Sequence, residues 1–243
     1  MADTPESAGR PSRMVHRHRN LSGGWARAAV FGVSDGLVSN VALILGVAGA
    51  SSQASFVRVA GLSGLIAGAV SMAAGEYVSV KAQNELIHRE VEIERQSIFE
   101  KPEAETNELA SIYEARGLGP AAARRVAIAI MSDPDVALDV HTREELGVSP
   151  YAVSSPYVVS GSSFGAFAVG ASAPLVPWFF GGGNAAVIAS LIIGLVAAAL
   201  VGVLLARFTE RSAWRTALRQ VVLAGVSCGV TFFLGNLFGT GVG

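Results

Sequence analysis

Apolar residues along this chain collect into five long runs, near residues 28–50, 57–80, 152–176, 185–207 and 218–240. Each is long enough to cross a hydrocarbon core of about 30 Å as a helix. Short stretches separate them, except between the second and third runs, where residues 81–150 turn polar. That stretch keeps a helical character. KAQNELIHREVEIERQSIFE continues the second run without a breaker, Pro102 permits a new helix start, and ETNELASIYEARG ends at Gly117. Pro120 opens AAARRVAIAIM, and Asp133-Pro134 opens a last segment that closes at Gly147, each a proline at a position a helix start tolerates. No period-two pattern and no phosphate-binding glycine loop appear. The pattern predicts an all-α membrane protein of five transmembrane helices with a small helical cap inserted between the second and third. Its expected divisions are a basic arm (1–27), spans one and two (28–80), an acidic cap (81–150) and spans three to five (151–243).

Composition agrees: 51% of residues are hydrophobic and 15% charged, and the mean hydropathy is +0.47, which excludes an ordinary soluble domain. Charge then orients the chain. Of the Arg and Lys residues, five lie in the arm, eight in 81–150, four at Arg207, Arg211, Arg215 and Arg219, and only Arg58 elsewhere. The positive-inside rule puts the arm and cap in the cytoplasm and the C-terminus outside. The arm has no apolar core of a cleaved leader, and anionic headgroups account for its arginines without a nucleic-acid partner. Sixteen arginines against two lysines, and no organelle presequence, favour a prokaryotic plasma membrane. Cys228 is the single cysteine, which rules out an internal disulfide. With no nucleophile, acid–base pair or cofactor motif, the chain does not read as an enzyme, and no resident cofactor is expected.

Two carboxylates interrupt the apolar runs: Asp35 in the first and Glu76 in the second. A charge at mid-bilayer costs roughly 2.5–3.5 kcal/mol on insertion scales, so such residues usually face a pore or a partner. Asn40 and Met72 lie near them in sequence, and all four are candidates to line a transport pathway. Hard oxygens beside a thioether favour a first-row transition metal over Mg²⁺ or Ca²⁺. Glycines at short steps, Gly61, Gly64 and Gly68 in the second span, Gly161 and Gly165 in the third, Gly225 and Gly229 in the fifth, predict close helix approach. Without a visible internal repeat, the pathway is expected at the interface of a homodimer. In the cap, Glu90 and Glu94, Glu105 and Glu108, and Glu144 and Glu145 beside His141 bring carboxylates near an imidazole, a set suited to divalent metal. Solvation and i,i+4 pairing explain such a surface equally well.

GVSDGLVSN in the first span, SMAAGEYVSVKAQ in the second, REVEIER after it, then PEAETNELASIYEARG and HTREELG, taken in this order, resemble the vacuolar iron transporter family from about residue 22 to 240. The resemblance implies a homodimeric five-span carrier that moves Fe²⁺, often also Mn²⁺, out of the cytosol in exchange for protons. It implies a pathway lined by Asp35 and Met72, with the glutamate of the GEY string at Glu76, and a cap metal site at Glu94, Glu105, Glu108 and Glu145. This chain departs from some relatives at His141 and Thr142, where they carry methionines, and at Ser97, where an acid is expected; His141 joins the candidate ligands. Some relatives add a ferritin-like domain before the first span, and the 27 residues here are too short for one, so none is expected. The rival readings are a passive divalent-cation channel and a non-transporting scaffold or signalling dimer, in which Asp35 and Glu76 pair inside the bundle.

Overall fold

The computed structural model describes residues 24–51, 53–147, 149 and 153–239, and among these all regular structure is helical. Most of the basic arm therefore lies outside the described residues. The helices are α1 (Trp25–Ala50), α2 (Ala54–Glu100), α3 (Pro102–Ala115), α4 (Pro120–Met131), α5 (Pro134–Glu145), α6 (Pro156–Ser172), α7 (Gly183–Thr209) and α8 (Ala213–Gly239). Among the described residues, five helical stretches are long and apolar enough to cross a membrane: α1, α2, α6 with its continuation, α7 and α8.

The helix at the centre is α1, which packs on α6, α8, α2 and α7 and buries Leu37, Val41, Ile44 and Leu45. Small residues allow this crowding. A methyl group on Gly36 would stand 2.3 Å from the Phe167 carbonyl oxygen, and one on Gly235 would fall 1.9 Å from that of Gly46. Backbone thus meets backbone between α1 and both α6 and α8, which only a residue without Cβ permits. Gly61, Gly64 and Gly68 also face close neighbours, but Gly161, Gly165 and Gly229 have nothing within 4 Å. The close-approach role expected of the third- and fifth-span glycines falls within this chain to Gly170 and Gly235 instead, because the helices are rotated so that Gly161, Gly165 and Gly229 look outward. Helix α8 lies parallel to α1: the Gln220 side chain donates to Ser34 Oγ at 2.9 Å near their starts, and Gly235 meets Gly46 further along.

The third span is shorter as an α-helix than its apolar run suggests. After Ser172 the chain tightens into a 3-10 segment, Ala173–Phe179, because Pro174 and Pro177 remove amides that an α-helix needs. Trp178 fixes that segment on α7, donating at 2.9 Å to Ser190 Oγ, which donates in turn to the Pro174 carbonyl at 2.7 Å.

At 47 residues, α2 is about 70 Å long by helical rise, more than twice the hydrocarbon thickness. Its second half leaves the bundle and carries the cap. Proline stands in the first turn of α3, α4 and α5, where its missing amide costs nothing, and Asp133 caps α5 by accepting from the amides of Asp135 and Val136. Between α3 and α4 the backbone turns at Gly117, φ +99°, a conformation glycine adopts freely. Leu109, Ala110, Ala123 and Ala127 form the cap's small core, and the Asn84 side chain donates to the Ser154 carbonyl at 2.8 Å, tying the α2 extension to the start of α6.

Candidate transport pathway and metal site

Asp35, Ser39 and Leu43 are spaced one turn apart and share a face of α1, with Asn40 beside them. Gly64, Gly68, Ser71 and Met72 lie opposite on α2, and Phe167 of α6 closes the end, so that these side chains line a cavity of about 310 Å³. The two glycines make room for it. A methyl on Gly64 would stand 2.9 Å from Asn40 Oδ1, and one on Gly68 2.2 Å from Phe167 Cζ.

The polar groups here are unequally satisfied. Asn40 is 2% exposed; its amide nitrogen donates to the Ala171 carbonyl at 2.7 Å, and its Oδ1 has no hydrogen-bond partner among the described residues. That anchor fixes which end of the amide is the acceptor. The hydroxyls flanking Asp35 do not engage its carboxylate: Ser39 donates to the Asp35 backbone carbonyl at 2.5 Å, and Ser34 accepts from Gln220. Asp35 is exposed in the single chain.

Three of the four residues expected on the pathway, Asp35, Asn40 and Met72, are thus brought together. Glu76 is not among the cavity's lining residues. One turn along α2 from Met72, its Oε2 lies 3.4 Å from Arg27 Nη2, with 16% of the side chain exposed. An arginine at the start of α1 was available in the sequence, but nothing in its pattern joined it to Glu76. Ser39, Ser71 and Phe167 were also missed; Ser39 alone had a signal, one turn from Asp35.

In the cap, four residues from three helices converge: Glu94 on α2, Glu105 on α3, and His141 and Glu145 on α5, each offering a ligand atom within 4.8 Å of the others. His141 is fully buried. Its Nδ1 lies 3.1 Å from Glu94 Oε1, 3.1 Å from Glu145 Oε1 and 3.8 Å from Glu105 Oε2. One N–H cannot serve three carboxylates, and Glu94 Oε1 and His141 Nε2 are left buried without a partner, at a cost an apolar interior does not return. Neighbouring acids are treated differently. Glu144 pairs with Arg116, Asp139 with Arg143 and Glu92 with Arg95, while no Arg or Lys among the described residues bridges Glu94, Glu105 or Glu145.

Burial raises the Glu94 carboxyl to a pKa of about 7, helped by the charges of Glu145, Glu105 and Glu108 against the opposing effect of His141. Burial and the Glu108 charge push Glu105 upward too. An unpartnered oxygen on Glu94, with two carboxyls, Glu94 and Glu105, that resist ionisation beside Glu145 and one imidazole, forms a set that a divalent cation satisfies, because the cation supplies the positive charge the protein withholds. Glu108, one turn from Glu105, is exposed and lies outside the four-residue cluster, contributing its charge. Thr142 turns its hydroxyl back to the Leu138 carbonyl at 2.8 Å, so that of the two departures beside the HTREELG string only His141 reaches the cluster.

Five spanning helices, a polar cavity between the first two and a cation-ready cluster on an extension of the second define an integral membrane protein built to handle charge inside a bilayer. The profile of the VIT family matches residues 26–236, and this chain belongs to that family. It is 29% identical to vacuolar iron transporter 1 of Eucalyptus grandis, over 96% of this chain and 97% of that protein. It is 30% identical to vacuolar iron transporter 2 of rice, Oryza sativa subsp. japonica, over 89% of each. The vacuolar iron transporter of Acanthamoeba castellanii is 38% identical over 66% of this chain and 58% of that protein.

Proposed function

We propose that this chain transports a divalent transition metal, Fe²⁺ foremost and Mn²⁺ beside it, out of the cytosol in exchange for protons. The observation that carries the reading is the cavity between α1 and α2, where a carboxylate, a thioether and an unpartnered amide oxygen meet inside spanning segments. Asp35 and Asn40 supply oxygens and Met72 a soft sulfur, a combination suited to Fe²⁺; the names of the relatives point the same way. Glu94, Glu105, His141 and Glu145 gather the ion on the cap, and Glu76, one turn nearer the cap than Met72, meets it as its pairing with Arg27 opens. Proton exchange follows from chemistry: a carboxylate in a low-dielectric site holds its proton, a bound dication expels it, and the two compete for one set of oxygens.

A homodimer is the working unit in this reading. Asp35 facing lipid would cost roughly 2.5–3.5 kcal/mol, and a second copy over the open side of the cavity removes that cost. Next to it α2 presents Leu62, Ile66 and Val70, all exposed in the single chain, as the apolar rim of such a contact. The charge asymmetry of the loops supports a cytoplasmic arm and cap and an external C-terminus, and sixteen arginines against two lysines favour a prokaryotic plasma membrane.

The test is metal flux into proteoliposomes with Fe²⁺, Mn²⁺ and Zn²⁺, with and without an opposing pH gradient. Flux accelerated by the gradient supports exchange, flux indifferent to it indicates a channel, and no flux with any of the three would leave the scaffold reading standing.

A further inference from the structure

A second cavity, of about 670 Å³, lies between the last turn of α7 and the first two turns of α8. Arg211, Arg215 and Arg219 line it at four-residue steps, with the hydroxyls of Ser212 and Thr216 between them and Leu205 of α7 on its apolar side. Glu210 also borders it, yet none of the three guanidinium groups forms a salt bridge with a carboxylate among the described residues. Three positive charges against one negative leave the cavity cationic. Since α8 runs parallel to α1, with Gln220 level with Ser34, Arg211 and Arg215 stand level with the start of α1, at the cap-side boundary of the spans, and Arg219 about one turn deeper. Trp214, 65% exposed, fits that depth, and the Arg215 guanidinium lies 5.5 Å from its ring centroid, which holds it against the edge of the cavity.

We propose that this cavity is a binding site for the phosphate of an anionic membrane lipid headgroup. Arginine forks recognise phosphate oxygens through paired N–H donors, the Ser212 hydroxyl supplies a further donor while that of Thr216 is spent on the Ser212 carbonyl, and basic pockets between spanning helices at this depth suit anionic headgroups. Lipid is favoured over free phosphate because Leu205 gives the cavity an apolar wall continuous with a spanning helix, which a glycerol backbone fills and an inorganic ion does not. The site is independent of the transport reading: it requires only that α7 and α8 span the membrane.

Arg207 provides the control. It belongs to the same basic cluster and is exposed, but it does not line the cavity. The full chain is purified in phosphatidylcholine nanodiscs and titrated with phosphatidylglycerol, and bound lipid is counted by native mass spectrometry alongside thermal unfolding. The wild type is expected to retain phosphatidylglycerol over phosphatidylcholine and to melt at a higher temperature with it. Arg215→Gln and Arg219→Gln are expected to weaken that retention about tenfold, and Arg207→Gln, the same change of charge, less than twofold. Equal losses in all three variants would show a diffuse basic field and overturn the site. Thermal stabilisation of the wild type by inorganic phosphate equal to that by phosphatidylglycerol would overturn the lipid assignment, as would the absence of any retained anionic lipid.

Discussion

Asp35 and Glu105 are both carboxylates held where charge is expensive, and they predict different losses. Asp35 makes no side-chain hydrogen bond to its neighbouring serines, so Asp35→Ala removes a ligand without breaking a packing contact. Proteoliposome uptake is expected to fall to background while the protein stays monodisperse with an unchanged or higher melting temperature; wild-type uptake would remove Asp35 from the pathway. Glu105, by contrast, points into the four-residue cluster while Glu108 remains outside. Calorimetry with Mn²⁺ is expected to show Glu105→Gln weakening the cap site by about tenfold or more, and Glu108→Gln acting only through its charge, by a few-fold at most. Insertion cost and donor softness, which residue types carry, made Asp35 and Met72 candidates for one pathway, and both line the cavity. The sequence did not separate Glu105 from Glu108, since the choice depends on how α3 is rotated against α2. Nor did it reveal that Glu76 pairs with Arg27, a contact spanning 49 positions of the chain.

Among the elements, helix starts were easiest to read, because Pro102, Pro120 and Pro134 mark them chemically whatever surrounds them. The 3-10 segment was harder: Pro174 and Pro177 were present, but the apolar run continued through them, and hydropathy does not distinguish 3-10 from α. Rotation of the helices was not legible at all, and glycine shows why. Gly36 and Gly161 both stand in spanning helices, but one meets a backbone carbonyl and the other open space. Gly36→Ala is therefore expected to destabilise the bundle by about 1–3 kcal/mol, since a carbonyl of a packed helix cannot move aside as a flexible side chain can. Gly161→Ala is expected to be neutral or to stabilise by up to about 1 kcal/mol through helix propensity. Melting temperatures in detergent decide the matter, and equal effects would contradict the packing of α1 on α6.

For the molecule as a whole, the cap's acidity couples folding, protons and metal. Glu94 has a pKa of about 7 in the fold against an ordinary value of 4.5, so between those limits the folded chain holds a proton that the unfolded chain has released. The resulting penalty is absent below about pH 4.5, grows as pH rises and is complete above about 7. Without metal, the cap is expected to lose stability across that interval. Added Mn²⁺ should oppose the loss most strongly at and above neutrality, where no proton must be displaced. Hydrogen exchange of α3 and α5 at pH 5 and pH 7.5, with and without the ion, would check this, and a metal-free cap more protected at pH 7.5 would contradict the assignment of Glu94.

The unbroken length of α2 has a mechanical consequence. Met72, at the cavity, and Glu94, in the cap cluster, are twenty-two residues apart on one helix, a separation of about 33 Å. No proline or glycine interrupts the helix between Glu76 and Glu100, so this stretch has none of the usual hinges and turns as a lever. A tilt of about 5° pivoting at Gly75, about 29 Å from Glu94 by helical rise, carries Glu94 sideways by about 2.5 Å, more than the length of a metal–oxygen bond. Because α3 and α5 supply the other ligands, such a swing would pull one donor away from three, and drawing those donors together around an ion would exert torque on the helix that forms one wall of the cavity.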